Sequence, residues 1–283
     1  MKLTRAWAVP PPNVATVTDD AWANEQLERQ LAKAEQWAAR VGPSDQSQPA
    51  AVGEASTLAG DDDRTRPYQM SQAAWLSIFY AVDHLNAARI LVVEAKTIPA
   101  VGLFTLVRGA LETASRAVYL LAPTGWSDRL LRRVRVEAAE MQHADPNMSS
   151  IGQPASSGRQ RRRDLEERAR ELGRQLGIHP DQDVTAVSYA EIIHTAGRES
   201  PIGERRATLV WKLCSGYAHG DRWPIPAASD LEDLPGAPEG IRHLRVAAGP
   251  TALLLAVWTA TQMIEQAWEL YDARRRRPFP HLV

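Results

Sequence analysis

The sequence predicts an all-α fold, an up-and-down helical bundle with peripheral helices and an extended N-terminal arm. Apolar residues recur at steps of three and four over several long segments, which is the spacing of a helix face. Prolines stand at the boundaries of these segments, where a helix tolerates them. Short connections between the most apolar segments are typical of antiparallel neighbours in a bundle.

The composition is that of a globular protein with a substantial core. The chain has 283 residues, of which 44% are hydrophobic and 24% are charged. Its net charge of −1 gives no overall field for nucleic acid or an anionic membrane. The single Cys214 excludes an internal disulfide and a multi-cysteine metal site. Because the first residues lack the apolar core of a signal peptide and residues 251–264 are too short to span a membrane, we expect a cytoplasmic protein.

Residues 1–67 are predicted to form the N-terminal arm. Within it, residues 6–17 contain three consecutive prolines and indicate an extended leader. Residues 20–41 have the pattern of an amphipathic helix, with acidic residues early and Arg40 late, as the helix dipole favours. Residues 42–67 are rich in Ser, Gln, Pro, Gly and Asp, which predicts a flexible linker.

Residues 68–273 are predicted to form the helical bundle, followed by a basic tail at 274–283. The core is expected from four helices, and the first two should form an antiparallel hairpin. Residues 221–240 are predicted to be irregular, and residues 241–247 alternate weakly, as a strand does, without an identifiable partner. The predicted core helices lie at 68–97, 99–122, 202–219 and 250–273, and the predicted peripheral helices lie at 126–143, 159–176 and 184–196.

Two polar stripes mark the candidate site. The first follows the helix at 202–219, and we expect its end, from Ser215 to His219, to turn into the interior because apolar residues flank the stripe on both sides. The second lies on the helix at 99–122, where Arg108 and Glu112 are four residues apart. The first stripe consists of Arg205, Thr208, Lys212, Ser215, His219 and Arg222, and the second of Arg108, Glu112, Ser115 and Tyr119.

The predicted catalytic site joins the two stripes through His219, Arg108, Glu112 and Ser215. A buried ion pair needs partners, and Ser215 and His219 would supply them from the other helix. A histidine that is hydrogen-bonded to a carboxylate suits general acid–base catalysis. The alternative is a structural network that ties two helices together, with His219 closing the helix before Gly220.

Three motifs in chain order resemble those of HEPN-like helical-bundle proteins, in particular a bacterial branch of unknown function. They are Asp83-His84, the Arg-x-x-x-Glu pair of residues 108 and 112, and the Ser-x-x-x-His pair of residues 215 and 219. The resemblance covers residues 68–271. It implies a dimeric ribonuclease that needs no metal, or a module that binds nucleotides or partners. The nuclease signature of such proteins, Arg and then His after four to six residues, is missing from the helix at 202–219.

Other interpretations remain open. A second hypothesis is a non-catalytic interaction or scaffold protein. A third is a di-metal carboxylate bundle, in which two Glu-x-x-His motifs supply ligands as they do in di-iron bundles. The basic segments 129–135, 159–174 and 274–277 would contact phosphates if their arginines were exposed.

The nine tryptophans mostly fall on apolar stripes and are predicted to lie in the core. We predict no cofactor and no resident metal; the candidate partners are RNA or a nucleotide, a protein, and a second copy of the chain. The ligands of the di-metal alternative would be Glu112, Glu140, His143, Glu166, Glu191 and His194.

Overall fold

A computed structural model describes residues 20–42, 51–150 and 186–276, together with individual residues between 160 and 174. The all-α prediction is confirmed, because helices dominate the described chain. In order, the elements are α1 (Asp20–Val41), α2 (Thr57–Thr65), α3 (Met70–Arg89), a π-helical turn (Ile90–Glu94), α4 (Gly102–Leu121), α5 (Trp126–Ser150), α6 (Tyr189–Arg198), α7 (Glu204–His219), α8 (Pro224–Ala228), β1 (Ser229–Leu234), β2 (His243–Ala248) and α9 (Pro250–Arg275).

Helix α4 lies at the centre of the bundle, because α3, α6, α7 and α9 all pack against it. It follows α3 after a short connection, as the predicted hairpin requires. Burying its apolar stripe is the main source of its stability, since apolar surface contributes roughly 25 cal/mol for each Å² removed from water. Every member of this apolar stripe is buried: Phe104, Val107, Leu111, Ala114, Val118 and Leu121.

Helix α1 packs on α9 and α3, so the predicted arm is docked on the bundle at this helix. Its apolar stripe is buried, with Leu27 1% exposed. Two ion pairs fix its direction along α9: Lys33 with Glu265 at 2.8 Å and Arg40 with Asp272 at 2.5 Å. The later residue of α1, Arg40, pairs with the later residue of α9, Asp272, so the two helices are parallel.

Helix α2 lies in the predicted linker, and for residues 57–65 that prediction is wrong. The Oγ atom of Ser56 caps the helix by accepting a hydrogen bond from the backbone N–H of Ala59 at 3.1 Å. Asp61 is buried and accepts hydrogen bonds from Arg129 of α5 at 2.6 and 2.9 Å. Local composition does not reveal an ion pair with a residue so distant in the chain, so the acidic run resembles a solvated linker.

Two arginines close the C-terminal end of α4. Arg129 donates to the carbonyl oxygens of Pro123 and Thr124 at 3.0 and 2.8 Å. Arg274, in the last turn of α9, donates to the carbonyl oxygens of Leu121 and Pro123. The last carbonyls of a helix lack partners within the helix, and a cation there also interacts favourably with the helix dipole. The last carbonyl of α4 is therefore satisfied by a side chain of α9, and the carbonyls of the turn that follows are satisfied by side chains of α5 and α9.

Strands β1 and β2 form an antiparallel hairpin, with Leu231 opposite Val246 and Glu232 opposite Arg245. The weak strand pattern at 241–247 therefore has its partner inside residues 221–240, which we predicted to be irregular. That prediction is wrong because β1 is mostly exposed and rich in Asp and Glu, which strands disfavour. Helix α8 also lies in this region.

Other boundaries differ modestly from the predictions. Helix α5 continues to Ser150, although the helix was predicted to end at residue 143, and Pro146 inside it removes one backbone hydrogen bond. Helix α6 begins at Tyr189, where Ser188 caps it. The predicted leader at 6–17 and most of the predicted helix at 159–176 lie outside the described residues.

Among the described helices, the segment Met70–Glu94 is long and apolar enough to cross a membrane, and 39% of its most apolar 18-residue stretch is buried in the bundle. This segment differs from residues 251–264, which were the candidate in the sequence. Length and composition are weak evidence for a membrane span, because a core helix of a soluble bundle meets the same criteria.

Candidate functional site

Arg108 and Glu112 form an ion pair on α4, as their spacing predicts. The Nε atom of Arg108 lies 2.8 Å from Oε1 of Glu112, and their side chains are 24% and 14% exposed. The partner that α7 supplies is Trp211, whose indole Nε1 donates to the same Oε1 atom at 2.7 Å. The predicted partners at this position were Ser215 and His219; Trp211, the residue that completes the network, was not predicted from the sequence.

Ser215 and Cys214 lie one turn beyond Trp211 on α7. The Oγ atom of Ser215 is buried and has no hydrogen-bond partner among the described residues. The Cys214 side chain is fully buried, and burial raises the pKa of its thiol to about 12. Two smaller effects act on the same pKa: Arg108 lowers it and Glu112 raises it. The thiol is therefore protonated at neutral pH and is a poor nucleophile.

His219 is exposed at the C-terminal end of α7, so the end of this helix turns inward only in part. Gly216 and Tyr217 are buried, but His219 is not. It lies eight residues after Trp211, about 12 Å along the helix axis, and no hydrogen bond joins it to Arg108 or Glu112 in the described structure. Gly220 ends the helix with φ of 74°, the left-handed conformation that glycine adopts readily.

The outer face of α7 and the following turn carry a group of unpaired basic side chains, which we call the cationic stripe. Arg205, Lys212, His219 and Arg222 are all exposed. Within the described part of the chain, none of them forms an ion pair or a side-chain hydrogen bond. The neighbouring Arg206 differs: it is half-buried, its guanidinium donates to a glutamine of α9, and burial lowers its pKa.

The arginines of α5, in contrast, are paired. Arg132 and Arg135 bind the carboxylates of Glu199 and Glu191 through two hydrogen bonds each, at 2.6 to 3.0 Å. Arg135 also donates to the hydroxyl of Tyr119 at 3.3 Å. With Arg129 buried against Asp61, the segment 129–135 joins helices and offers no phosphate site. The first arginines of the predicted basic tail also belong to α9, where they bind backbone carbonyls and Asp272.

Trp223 lies against α7 at Gly216, beside the cationic stripe. A Cβ atom added at Gly216 would lie 2.9 Å from Nε1 and 3.0 Å from Cε2 of the indole, and 2.6 Å from Cγ of Pro224. Only glycine permits this approach. Trp223 is nevertheless 45% exposed, and Trp126 is 41% exposed, so the prediction that the tryptophans are core is wrong at these two positions.

The carboxylates of the two Glu-x-x-His motifs bind arginines. Glu140 forms an ion pair with Arg116, and Glu191 forms one with Arg135. The Nε2 atom of His194 is buried without a hydrogen-bond partner among the described residues. The described residues contain no group of three or more His, Cys, Asp or Glu side chains that would hold a metal ion. The side chains of His143 and Glu166 lie outside the described structure.

The structure thus brings Arg108 and Glu112 together, places Ser215 one turn from their partner Trp211, and leaves His219 with the cationic stripe. Comparison of the chain with protein-family models, with curated proteins and with solved structures gives no significant match. The HEPN-like resemblance and the catalytic roles of the four residues therefore stay predictions.

Proposed function

We propose that this protein binds RNA through the cationic stripe of α7 as a non-catalytic binding module. The observation that supports the proposal is the grouping of exposed basic side chains without carboxylate partners, whereas the other arginines in the described part of the chain are mostly paired. Residues 205–228 contain one acidic residue, Asp221. Local positive charge on a chain of net charge −1 attracts phosphates where overall charge does not.

The geometry of the stripe suits a single strand of nucleic acid. Arg205, Lys212 and His219 are seven residues apart in turn, about 10 Å along the helix for each step. The stripe therefore extends for roughly 20 Å, a length that several nucleotides of an extended strand would follow. Binding is favoured over cleavage because His219 has no carboxylate or arginine partner that would make it a general base.

The test is fluorescence anisotropy with a labelled single-stranded RNA of mixed sequence. The triple variant Arg205→Gln, Lys212→Gln, Arg222→Gln should lose most of its affinity. For the wild type, three phosphate contacts predict a slope of about −2 for log K against log salt concentration. If the triple variant binds as tightly as the wild type, or if the wild type binds no RNA at all, the proposal is wrong.

A matched control removes three exposed arginines that are ion-paired. Arg29, Arg242 and Arg245 are 64–66% exposed and bind Glu25, Asp233 and Glu232. Changing all three to Gln alters the net charge by the same amount as the test variant. RNA affinity should be unchanged, which separates the effect of the stripe from that of overall charge.

We also propose that the outer face of α3 binds a second copy of the chain. Leu76, Phe79 and Tyr80 are 36–50% exposed there. Ile90, which follows Tyr80 by ten residues, is 41% exposed. Between Gln72 and Arg89, Asp83 is the one exposed formal charge. A solvent face with so few charges is typical of a helix that packs against a partner.

The pattern of this face is complementary to itself. The residues Ala73, Leu76, Tyr80, Asp83, Ala87 and Ile90 recur at steps of three and four, the spacing of a helix–helix seam. When two copies of α3 pack antiparallel about a two-fold axis near residues 81 and 82, each large residue of this row meets a small one. The Tyr80 hydroxyl then faces the Asp83 carboxylate of the second copy, and the pair occurs twice by symmetry.

Sedimentation equilibrium over a range of concentrations tests the dimer. Leu76→Glu should abolish self-association, because it places a charge in the row that meets the second copy. Ile241→Glu changes a side chain that is 56% exposed on the loop between β1 and β2, and it should leave self-association intact. A monomeric wild type at high concentration would rule out a second copy as the occupant.

A further inference from the structure

We infer that Trp223 is a stacking platform for a base of single-stranded RNA. This inference rests on the proposed function and adds a contact with a base to the contacts with phosphates. The indole lies against Gly216, with its Nε1 and Cε2 atoms close to the glycine, while nearly half of Trp223 stays exposed. A tryptophan that served only to cover the end of a helix would be buried. Exposed aromatic faces beside basic side chains are the feature with which proteins bind single strands.

The position of Gly216 places the indole directly beside the cationic stripe. On a helix surface, residues three and four positions apart are neighbours, about 5–6 Å between Cβ atoms. Gly216 therefore has Lys212 on one side and His219 on the other. A base that stacks on Trp223 would have its phosphates within reach of these two side chains, so one short segment supplies both kinds of contact.

The surrounding residues hold the platform in place. Tyr217, next to Gly216, stacks on Phe104 of α4 with ring centroids 4.4 Å apart. Its hydroxyl donates to the carbonyl oxygen of Pro224 at 3.3 Å and lies 2.6 Å from Oγ of Ser229. Because the turn after Trp223 is anchored to the core on both sides, little conformational freedom remains to be lost when a base binds.

Stacking on Trp223 requires a base that is free of its own stack, so the inference predicts a preference for single strands. In an RNA duplex the bases are stacked and paired, and only phosphates and 2′-hydroxyls are readily accessible. Inorganic polyphosphate offers phosphates and no base. Comparing a single-stranded RNA, the same sequence as a duplex, and polyphosphate therefore separates the base contact from the charge contact.

The experiment measures the affinity of the full chain for these three probes. Trp223→Ala should weaken binding of single-stranded RNA by about 5- to 150-fold, the loss that one stacked base causes. Affinity for polyphosphate should stay unchanged, and Trp223→Phe should retain most of the RNA affinity. Gly216→Ala displaces the indole and should reproduce the selective loss; its melting temperature shows whether the fold is intact.

Trp126→Ala is the matched control, since Trp126 is similarly exposed but lies at the start of α5, against Arg64. It should change no affinity. If Trp223→Ala leaves RNA binding unchanged, or weakens RNA and polyphosphate equally, the stacking inference is wrong while the cationic stripe stands. If the wild type binds neither RNA nor polyphosphate, the proposed function fails first and the inference with it.

Discussion

Replacing Asp61 by Ala isolates the buried ion pair that fixes α2 to α5. The side chains of Arg129 and Asp61 are 2% and 1% exposed, and two hydrogen bonds join them. Removing one partner leaves a buried charge without its counter-ion, which costs about 3–5 kcal/mol of unfolding free energy. At about 2–4 °C for each kcal/mol, the melting temperature should fall by roughly 6–20 °C.

The assay is thermal and urea unfolding followed by circular dichroism, with Asp63→Ala as the control. Asp63 lies on the same helix, is 71% exposed and pairs with Arg66 at 3.2 Å, so its loss should cost less than about 1 kcal/mol. Both changes gain the same helix propensity, so propensity does not account for a difference between them. Equal stability of the two variants would refute the assignment of a structural role to the buried pair.

Three further predictions concern single side chains. Cys214, whose thiol pKa is about 12 because of burial, should react with a thiol reagent only after unfolding; rapid labelling of the native protein would contradict its burial. Burial opposes ionisation of Asp272, but hydrogen bonds from two arginines outweigh it and its pKa lies below the ordinary 3.8. Its pair therefore stabilises the fold above that pH and is lost as the pH falls, so Asp272→Asn should reduce the acid dependence of the melting temperature, and an unchanged dependence would count against this. Gly197→Ala would place a Cβ 2.8 Å from that of Ala207, which should cost about 1–3 kcal/mol in urea unfolding; a neutral effect would mean that α6 and α7 separate easily.

The helices were predictable because their signal is local. The bounds of α1 are as predicted, and those of α4 and α9 lie within three residues of the predicted ones, since apolar spacing and flanking prolines are present in each segment itself. The contacts of α2 and the pairing of β1 with β2 depend on residues elsewhere in the chain. A polar strand and an acidic helix look like loops until a distant arginine or a neighbouring strand is known.

The candidate site was predictable in composition and only partly in geometry. Spacing identified the Arg108–Glu112 pair and the residues of the cationic stripe. It did not show which side of α7 faces α4, because apolar residues flank the stripe on both sides. Trp211 and Trp223 were therefore assigned to the core, although one binds a carboxylate and the other lies partly in solvent. The spacing of residues in a sequence shows which side chains share a helix face, but it does not show which element packs against that face.

The arginine that closes α4 has a consequence for synthesis on the ribosome. Arg274 follows Leu121, whose carbonyl it binds, by 153 residues. At about 5–20 residues per second, roughly 8–30 s pass between the emergence of the two partners. Throughout that interval, the central helix of the nascent chain has an unfinished end, and it stays so until the last turn of α9 has been synthesised.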